Sequence, residues 1–469
     1  MITLLLILTP LVAGLIAFSL KQGSSAKTFA LLASLATLAI ALVAVFTPGT
    51  IGYDAAWLNS LGSRISFKAD GMGKMLSLLT AVSFPIIFTA VYNNEYKNAS
   101  SFYALMLLSQ AGLMGVFLAS DALLFYFFWE LALIPVYFLC SIWGGEKRIA
   151  VTFKFFVYTF IGSLIMLIGL LFMYFNTADQ SFSLESFYAV KLTAKQELVM
   201  FWLFFIAFAI KMPIFPFHTW QPDAYEQSPT ATTMVMSGIM VKMGVFAVIR
   251  WLLPMFPNAA AQSANIVIIL SIIGMIYASL IAIRQDDIKR MIAYSSIAHI
   301  GLMSAAMFTN NQTAMDGVMI QMFSHGVNVI GLWIIADLIE KQLGTRNMSE
   351  LGGLAQKAPV MAILLVIMAL ANVALPLTNA FIGEFLMFNG LFQYNMIMAA
   401  VAGISIILAA VYTLNMVQKV IYGELNATTE KAIDIPFNIQ FALVIIVVKE
   451  GLFGDVLAST KGLLRIHSH

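Results

Sequence analysis

Apolar runs of about twenty residues follow one another along almost the entire chain, and no feature of the sequence constrains its fold more. A helix needs about 20 residues, at roughly 1.5 Å each, to cross the hydrocarbon of a bilayer. Runs of that kind, bounded by polar or Gly/Pro residues, lie near 2–20, 27–47, 71–93, 102–119, 121–142, 149–176, 197–220, 230–253, 264–284, 289–309, 314–340, 359–392, 396–421 and 437–458. The longest polar stretches between them, 48–70 and 177–196, are too short to form a soluble domain. The expectation is an all-α polytopic membrane protein of about fourteen transmembrane helices, a single membrane domain over 1–469.

Composition agrees. Hydrophobic residues make up 61% of the chain and charged ones 10%, where soluble domains carry about 25% charge. The one cysteine, Cys140, allows neither a disulfide nor a thiolate cluster, and the chain has no GxGxxG and no P-loop, so redox chemistry and nucleotide binding are not expected in it. A net charge of +2 spread over short loops gives no nucleic-acid footprint. The first run lacks the basic flank and small-residue cleavage site of a secretory signal and reads as a retained helix. Placing both termini outside puts thirteen basic residues on the inner side against eight on the outer, the orientation favoured by the positive-inside bias.

Against this background six ionisable residues stand near the middle of apolar segments: Glu130, Lys211, Lys242, His299, His325 and Glu384. A charge at the bilayer centre costs at least about 2.5 kcal/mol, so a series of them points to a transport path rather than to packing. Lys211 precedes Pro213 and Pro216, which should break the seventh segment where the lysine sits; broken backbone at membrane depth is tolerated only inside protein or beside a wet cavity. Lys242 is mid-helix, next to Gly244 and four residues after Gly238. Glu130 lies about nine residues, roughly 14 Å, into its own segment. A buried carboxylate and lysine are both charged when together, whereas separation favours the neutral lysine, so Glu130 and Lys211 can act as a proton switch. The alternative for this pair is a static buried ion pair. His299 and His325, flanked by small and hydroxylic residues, suit proton carriage; each alone could be a simple interhelical bond. A zinc site would need three or four clustered ligands, and two of the five histidines are in the final HSH, so no metal is expected.

Lys154 lies about five residues into its helix, near enough to the surface to snorkel. The adjacent Lys449 and Glu450 in the last segment suggest no specific role. The twelfth segment, too long for one straight span and interrupted at Pro376 before Glu384, repeats the design of the seventh. A spacing of five helices between the two breaks implies two inverted five-helix repeats, helices 4–8 over 102–253 and helices 9–13 over 264–421.

The segments WELALIPVYFL, KMPIFPFHTWQPDAYEQSPTATTMVMSGIMVKMG, QDDIKRMIAYSSIAHIGLM, FSHGVNVIGLW and LPLTNAFIGEF resemble the antiporter-like membrane subunits of respiratory complex I, most closely the M branch, equivalent to mitochondrial subunit four. The resemblance covers about residues 100 to 425. It implies that Glu130 pairs with Lys211, that Lys242 is the central carrier, and that His299 and His325 lead to Glu384. A glutamate at this last position is similar to the M branch, since the sister subunits usually have lysine there. It further implies proton translocation coupled to NADH:quinone oxidoreduction, with flavin and iron–sulfur clusters in partner subunits, quinone bound elsewhere in the complex, and sister antiporter-like subunits on either side in a bacterial inner membrane. Two departures stand out: Leu377 occupies the glycine position of the family's usual Pro-Gly-Thr, and residues 425 to 469 match poorly. A subunit of a multisubunit sodium/proton antiporter and a membrane-arm subunit of a membrane-bound hydrogenase remain the alternatives.

Overall fold

The computed structural model describes residues 1–21 and 23–448; Lys449 and Glu450 lie outside them. The long helices are α1 (Ile2–Ala17), α2 (Gly23–Phe46), α3 (Gly71–Ala90), α4 (Ala99–Leu118), α5 (Ala122–Trp143) and α6 (Arg148–Asn176). They continue with α7 (Ala194–Lys211), α8 (Thr230–Met255), α9 (Pro257–Arg284), α10 (Ile288–Met307) and α11 (Gln312–Leu343). After these come α12a (Pro359–Asn372), α12b (Asn379–Tyr394), α13 (Met396–Tyr422) and α14 (Phe437–Val448). Among the described residues, nine helices are long and apolar enough to cross a membrane.

The polar stretch near residue 60 is not a plain loop. It forms an antiparallel hairpin of β1 (Ile51–Leu58) and β2 (Ser63–Ala69). Asp121 anchors the hairpin while capping α5: its carboxylate accepts from Ser63 Oγ at 2.9 Å, Arg64 N at 3.0 Å and Leu124 N at 3.0 Å. Such a cap satisfies backbone donors that the first helical turn leaves free.

Both breaks fall where proline removes a ladder donor. Pro213 cannot donate to the carbonyl of Ala209, and the chain compensates by turning so that Ile214 N reaches that oxygen at 3.1 Å. Pro376 likewise cannot reach back to Asn372, where α12a ends. The break after α7 is covered by α6. Lys154 is partly exposed, and its Nζ donates to Thr219 O at 2.8 Å and to Asp223 Oδ2 at 2.9 Å.

Small residues set the closest approach of the central helices. A Cβ on Gly326 of α11 would stand 2.7 Å from Gly238 O of α8, and one on Gly317 would stand 2.7 Å from Gly383 O of α12b. Helices in lipid gain from such backbone proximity because packing and polar contacts, not burial from water, drive their association. Gly326→Ala must push α8 and α11 apart, since backbone and not a flexible side chain is in the way. It should lower stability by about 1–3 kcal/mol, read as a drop in the thermal midpoint of the detergent-solubilised protein; an unchanged midpoint would show that the contact is not tight.

Candidate functional site

The close Gly238–Gly326 approach brings two sequence-distant ionisable side chains together. Lys242, fully buried, places Nζ 2.8 Å from His325 Nδ1 and 2.9 Å from Ser237 O. The turn Met236–Met240 is π-helical, a local widening that recurs at functional positions, and it puts Ser237 O beneath the amine. One of the two nitrogens donates to the other, and which one does so depends on the imidazole tautomer and on where the proton sits.

From His325 the chain of groups continues to His299 on α10, with ring centroids 5.3 Å apart. The Nε2 atoms of both rings are buried and have no hydrogen-bond partner among the described residues. Buried polar atoms are ordinarily satisfied, by water where protein does not reach them. His299 Nδ1 then meets Glu384 Oε1 at 2.9 Å, and Gln321 Nε2 reaches the same oxygen at 3.3 Å. A cavity of about 20 Å³ beside His299 and Glu384, bounded also by Ser405 and Tyr412, has room for about one water.

Glu130 and Lys211 form a separate station. Lys211 ends α7 at the break and is 2% exposed. Its Nζ lies 5.7 Å from the centre of the Trp129 ring, within cation–π range, and neither Nζ nor Glu130 Oε1 has a hydrogen-bond partner among the described residues. The two groups are therefore not in direct hydrogen-bond contact. Four of the six sequence-identified residues thus form one run in the spatial order Lys242, His325, His299, Glu384, and the other two stand apart from it. The order of the histidines is opposite to their order in the chain, because the sequence position of a helix does not fix which neighbour it packs against.

Sequence reasoning passed over the neutral members. Gln321 and Asn328 are 1% exposed on α11, and with His325 they occupy positions i, i+4 and i+7 of a single helical face. That spacing was the available signal. It also passed over Lys289, whose Nζ meets Glu340 Oε2 at 2.5 Å and Thr230 Oγ1 at 3.1 Å at the start of α8, beside a charged cavity of about 760 Å³. Among the described residues no group of three or more His, Cys, Asp or Glu side chains could hold a metal ion.

Comparison with known proteins matches residues 119–409, a span containing all six residues, to the family described as NADH:quinone oxidoreductase/Mrp antiporter, TM. The chain is 38% identical over 377 residues to NADH-quinone oxidoreductase subunit M of Rickettsia typhi, covering 80% of this chain and 76% of that protein. It is 36% identical over 447 residues to the subunit of the same name from Rhodobacter capsulatus, covering 90% and 87%. Its structure is similar to a chain of respiratory complex I from Thermus thermophilus, with a TM-score of 0.91, 27% identity and 100% of both chains covered.

Proposed function

The chain belongs to the NADH:quinone oxidoreductase/Mrp antiporter transmembrane family, and from that membership we propose that it is an M-type, proton-translocating membrane subunit of an NADH:quinone oxidoreductase. It is an integral, multi-pass protein of this family. In our reading it crosses the membrane fourteen times with both termini outside, helices 4–8 and 9–13 being inverted repeats, in a bacterial inner membrane between sister subunits. The electron-carrying flavin and iron–sulfur centres, and the quinone, belong to other subunits.

The contact run Lys242–His325–His299–Glu384 is the observation that carries this reading. A proton held at Lys242 passes to His325, then to His299, and is delivered to Glu384, which hands it on toward the outer face. This order replaces the one suggested by chain position. Charge movement in a neighbouring subunit shifts the balance between Glu130 and Lys211, and the change in field at Lys242 drives the transfer. Positive charge arriving near Lys242 favours proton release, and its removal favours reloading.

Sodium antiport fits the surroundings of Glu384 poorly. A hard cation seeks about six oxygen ligands, whereas the contacts to Oε1 are the nitrogens His299 Nδ1 and Gln321 Nε2. Proton uptake by vesicles carrying the whole complex should proceed unchanged when potassium replaces sodium. Glu384→Gln should slow it by about tenfold or more, since loss of a proton-transferring group typically removes a factor of about 10²–10⁴ from its step. Glu384→Lys, which restores an ionisable group, should retain part of the activity. Turnover that requires sodium would overturn the reading in favour of an antiporter.

A further inference from the structure

Buried within α11, one turn beyond His325, Asn328 bonds to both halves of the broken twelfth segment. Its Nδ2 donates to Ala371 O of α12a at 3.2 Å and to Asn379 Oδ1 of α12b at 2.8 Å, and Asn379 Nδ2 returns a bond to Asn328 Oδ1 at 3.1 Å. Ser324 Oγ adds a bond to Asn379 O at 3.2 Å. We propose that Asn328, through this reciprocal amide pair, is the positioning residue that holds Glu384 in proton-transfer contact with His299. The inference rests on the reading of Glu384 as a proton carrier.

The break keeps turn bonds of its own, Ala374 N to Ala371 O at 3.2 Å, Leu375 N to Leu370 O at 3.1 Å and Thr378 N to Leu375 O at 3.0 Å, but these lie within the segment and do not tie it to a neighbouring helix. Residues 373–378 leave the helical ladder, and Ala374 and Leu377 adopt φ of 56° and 81°, the left-handed region that a side chain disfavours by about 1–2 kcal/mol. Leu377 is also 99% exposed, so its side chain does not hold it in place. A conformation of this kind persists only when its surroundings impose it. Asn328 is 1% exposed and supplies that restraint from outside the segment.

The consequence reaches Glu384 through α12b. Asn379 is the first residue of that helix and precedes Glu384 by five positions, roughly 7–8 Å along the axis. A tilt or rise of the helix start therefore moves the carboxylate relative to His299, 2.9 Å away. Gln321, two turns before Asn328 on the same face of α11, holds the carboxylate itself at 3.3 Å. Thus α11 fixes both the start of α12b and the group it carries. A carboxamide neither gains nor loses a proton at physiological pH, so Asn328 acts on the transfer by geometry alone.

The test uses the intact complex in proteoliposomes. Asn328→Leu keeps a similar volume and removes all three bonds that Asn328 makes to the two halves, leaving only that of Ser324; it should assemble and lose proton translocation by at least about tenfold, since a misplacement of about 1 Å can cost a reaction step about 10²-fold. Asn328→Asp separates geometry from mere folding. Protonated, the new carboxyl donates to Asn379 Oδ1 and accepts from its Nδ2; ionised, it can no longer donate. Translocation by this variant should approach the wild-type rate at low pH and fall reversibly as pH rises, more steeply than the wild type. The ionised carboxylate of Asn328→Asp also acts through its charge on the nearby Lys242, His325, His299 and Glu384, and the uncharged Asn328→Leu, which lacks the same bonds, separates lost geometry from that field. Translocation by an assembled Asn328→Leu within about twofold of wild type, or an Asn328→Asp profile that tracks the wild type, overturns the proposal. Should Asn328→Leu not assemble, Asn328→Ala, uncharged and without the same bonds, takes its place in the comparison. Glu384→Gln, measured alongside, tells the two readings apart. Wild-type transport in Glu384→Gln brings down the carrier role and this inference with it, whereas impaired Glu384→Gln with normal Asn328 variants brings down this inference alone.

Discussion

Lys242→Ala is expected to abolish proton uptake by vesicles carrying the assembled complex. The amine is fully buried, and its polar contacts are one carbonyl, Ser237 O, and one ring nitrogen, His325 Nδ1. Removing it leaves His325 Nδ1 without its hydrogen-bond partner, and no titratable group closer than His299 is shown in contact with that ring. A single proton-transferring side chain typically contributes a factor of about 10²–10⁴, and a relay interrupted at its centre has no parallel route in the geometry described. Lys242→Arg sharpens the test. Arginine keeps the positive charge but cannot be deprotonated in a protein, so a variant that needs only the charge would survive while one that must release a proton would not. Arginine should fail as completely as alanine. Wild-type pumping by either variant, with the complex assembled, would remove Lys242 from the path.

The ionisable residues were legible in the sequence because the bilayer makes them expensive: a charge in an apolar run is visible with no knowledge of its neighbours. The two breaks were legible for a similar reason, since Pro213 and Pro216 on the one hand and Pro376 on the other remove specific ladder donors wherever the helices pack. What could not be read was pairing. His299 and His325 looked like successive steps in chain order, but the approach of Gly326 to Gly238 O is what puts His325 against Lys242 and leaves His299 for Glu384. Lys154 is partly exposed, and its partners, the Thr219 carbonyl and Asp223, come from a segment 65 and more residues away that no local pattern could name. Neutral amides were the largest omission. Asn328 and Gln321 carry no charge to betray them, yet each makes polar contacts that a leucine could not.

The second large effect is expected at Glu130. With Oε1 of Glu130 and Nζ of Lys211 both buried and neither hydrogen-bonded among the described residues, and with the lysine over the face of Trp129, the two charges interact through space rather than through a locked bond. At a separation of several ångströms in a medium of intermediate dielectric such an interaction amounts to a few kcal/mol, on the order of 4 kcal/mol at 4 Å and an effective constant of about 20. That is enough to change the proton occupancy of a buried lysine by more than tenfold, because about 1.4 kcal/mol corresponds to one factor of ten. Glu130→Gln removes the charge while keeping the shape, and coupled turnover should fall by at least about tenfold. Glu130→Asp keeps the charge on an arm one methylene shorter; because the native interaction is not a close contact, the field at Lys211 weakens without vanishing, and the loss should be several-fold smaller than with glutamine. A locked ion pair predicts the contrary, since shortening one partner would break its bond and both variants would then suffer alike. Proton uptake and quinone reduction measured on the same vesicles separate the cases. A graded loss, glutamine worse than aspartate, marks an electrostatic switch, whereas equal loss in both variants, or in neither, rules one out.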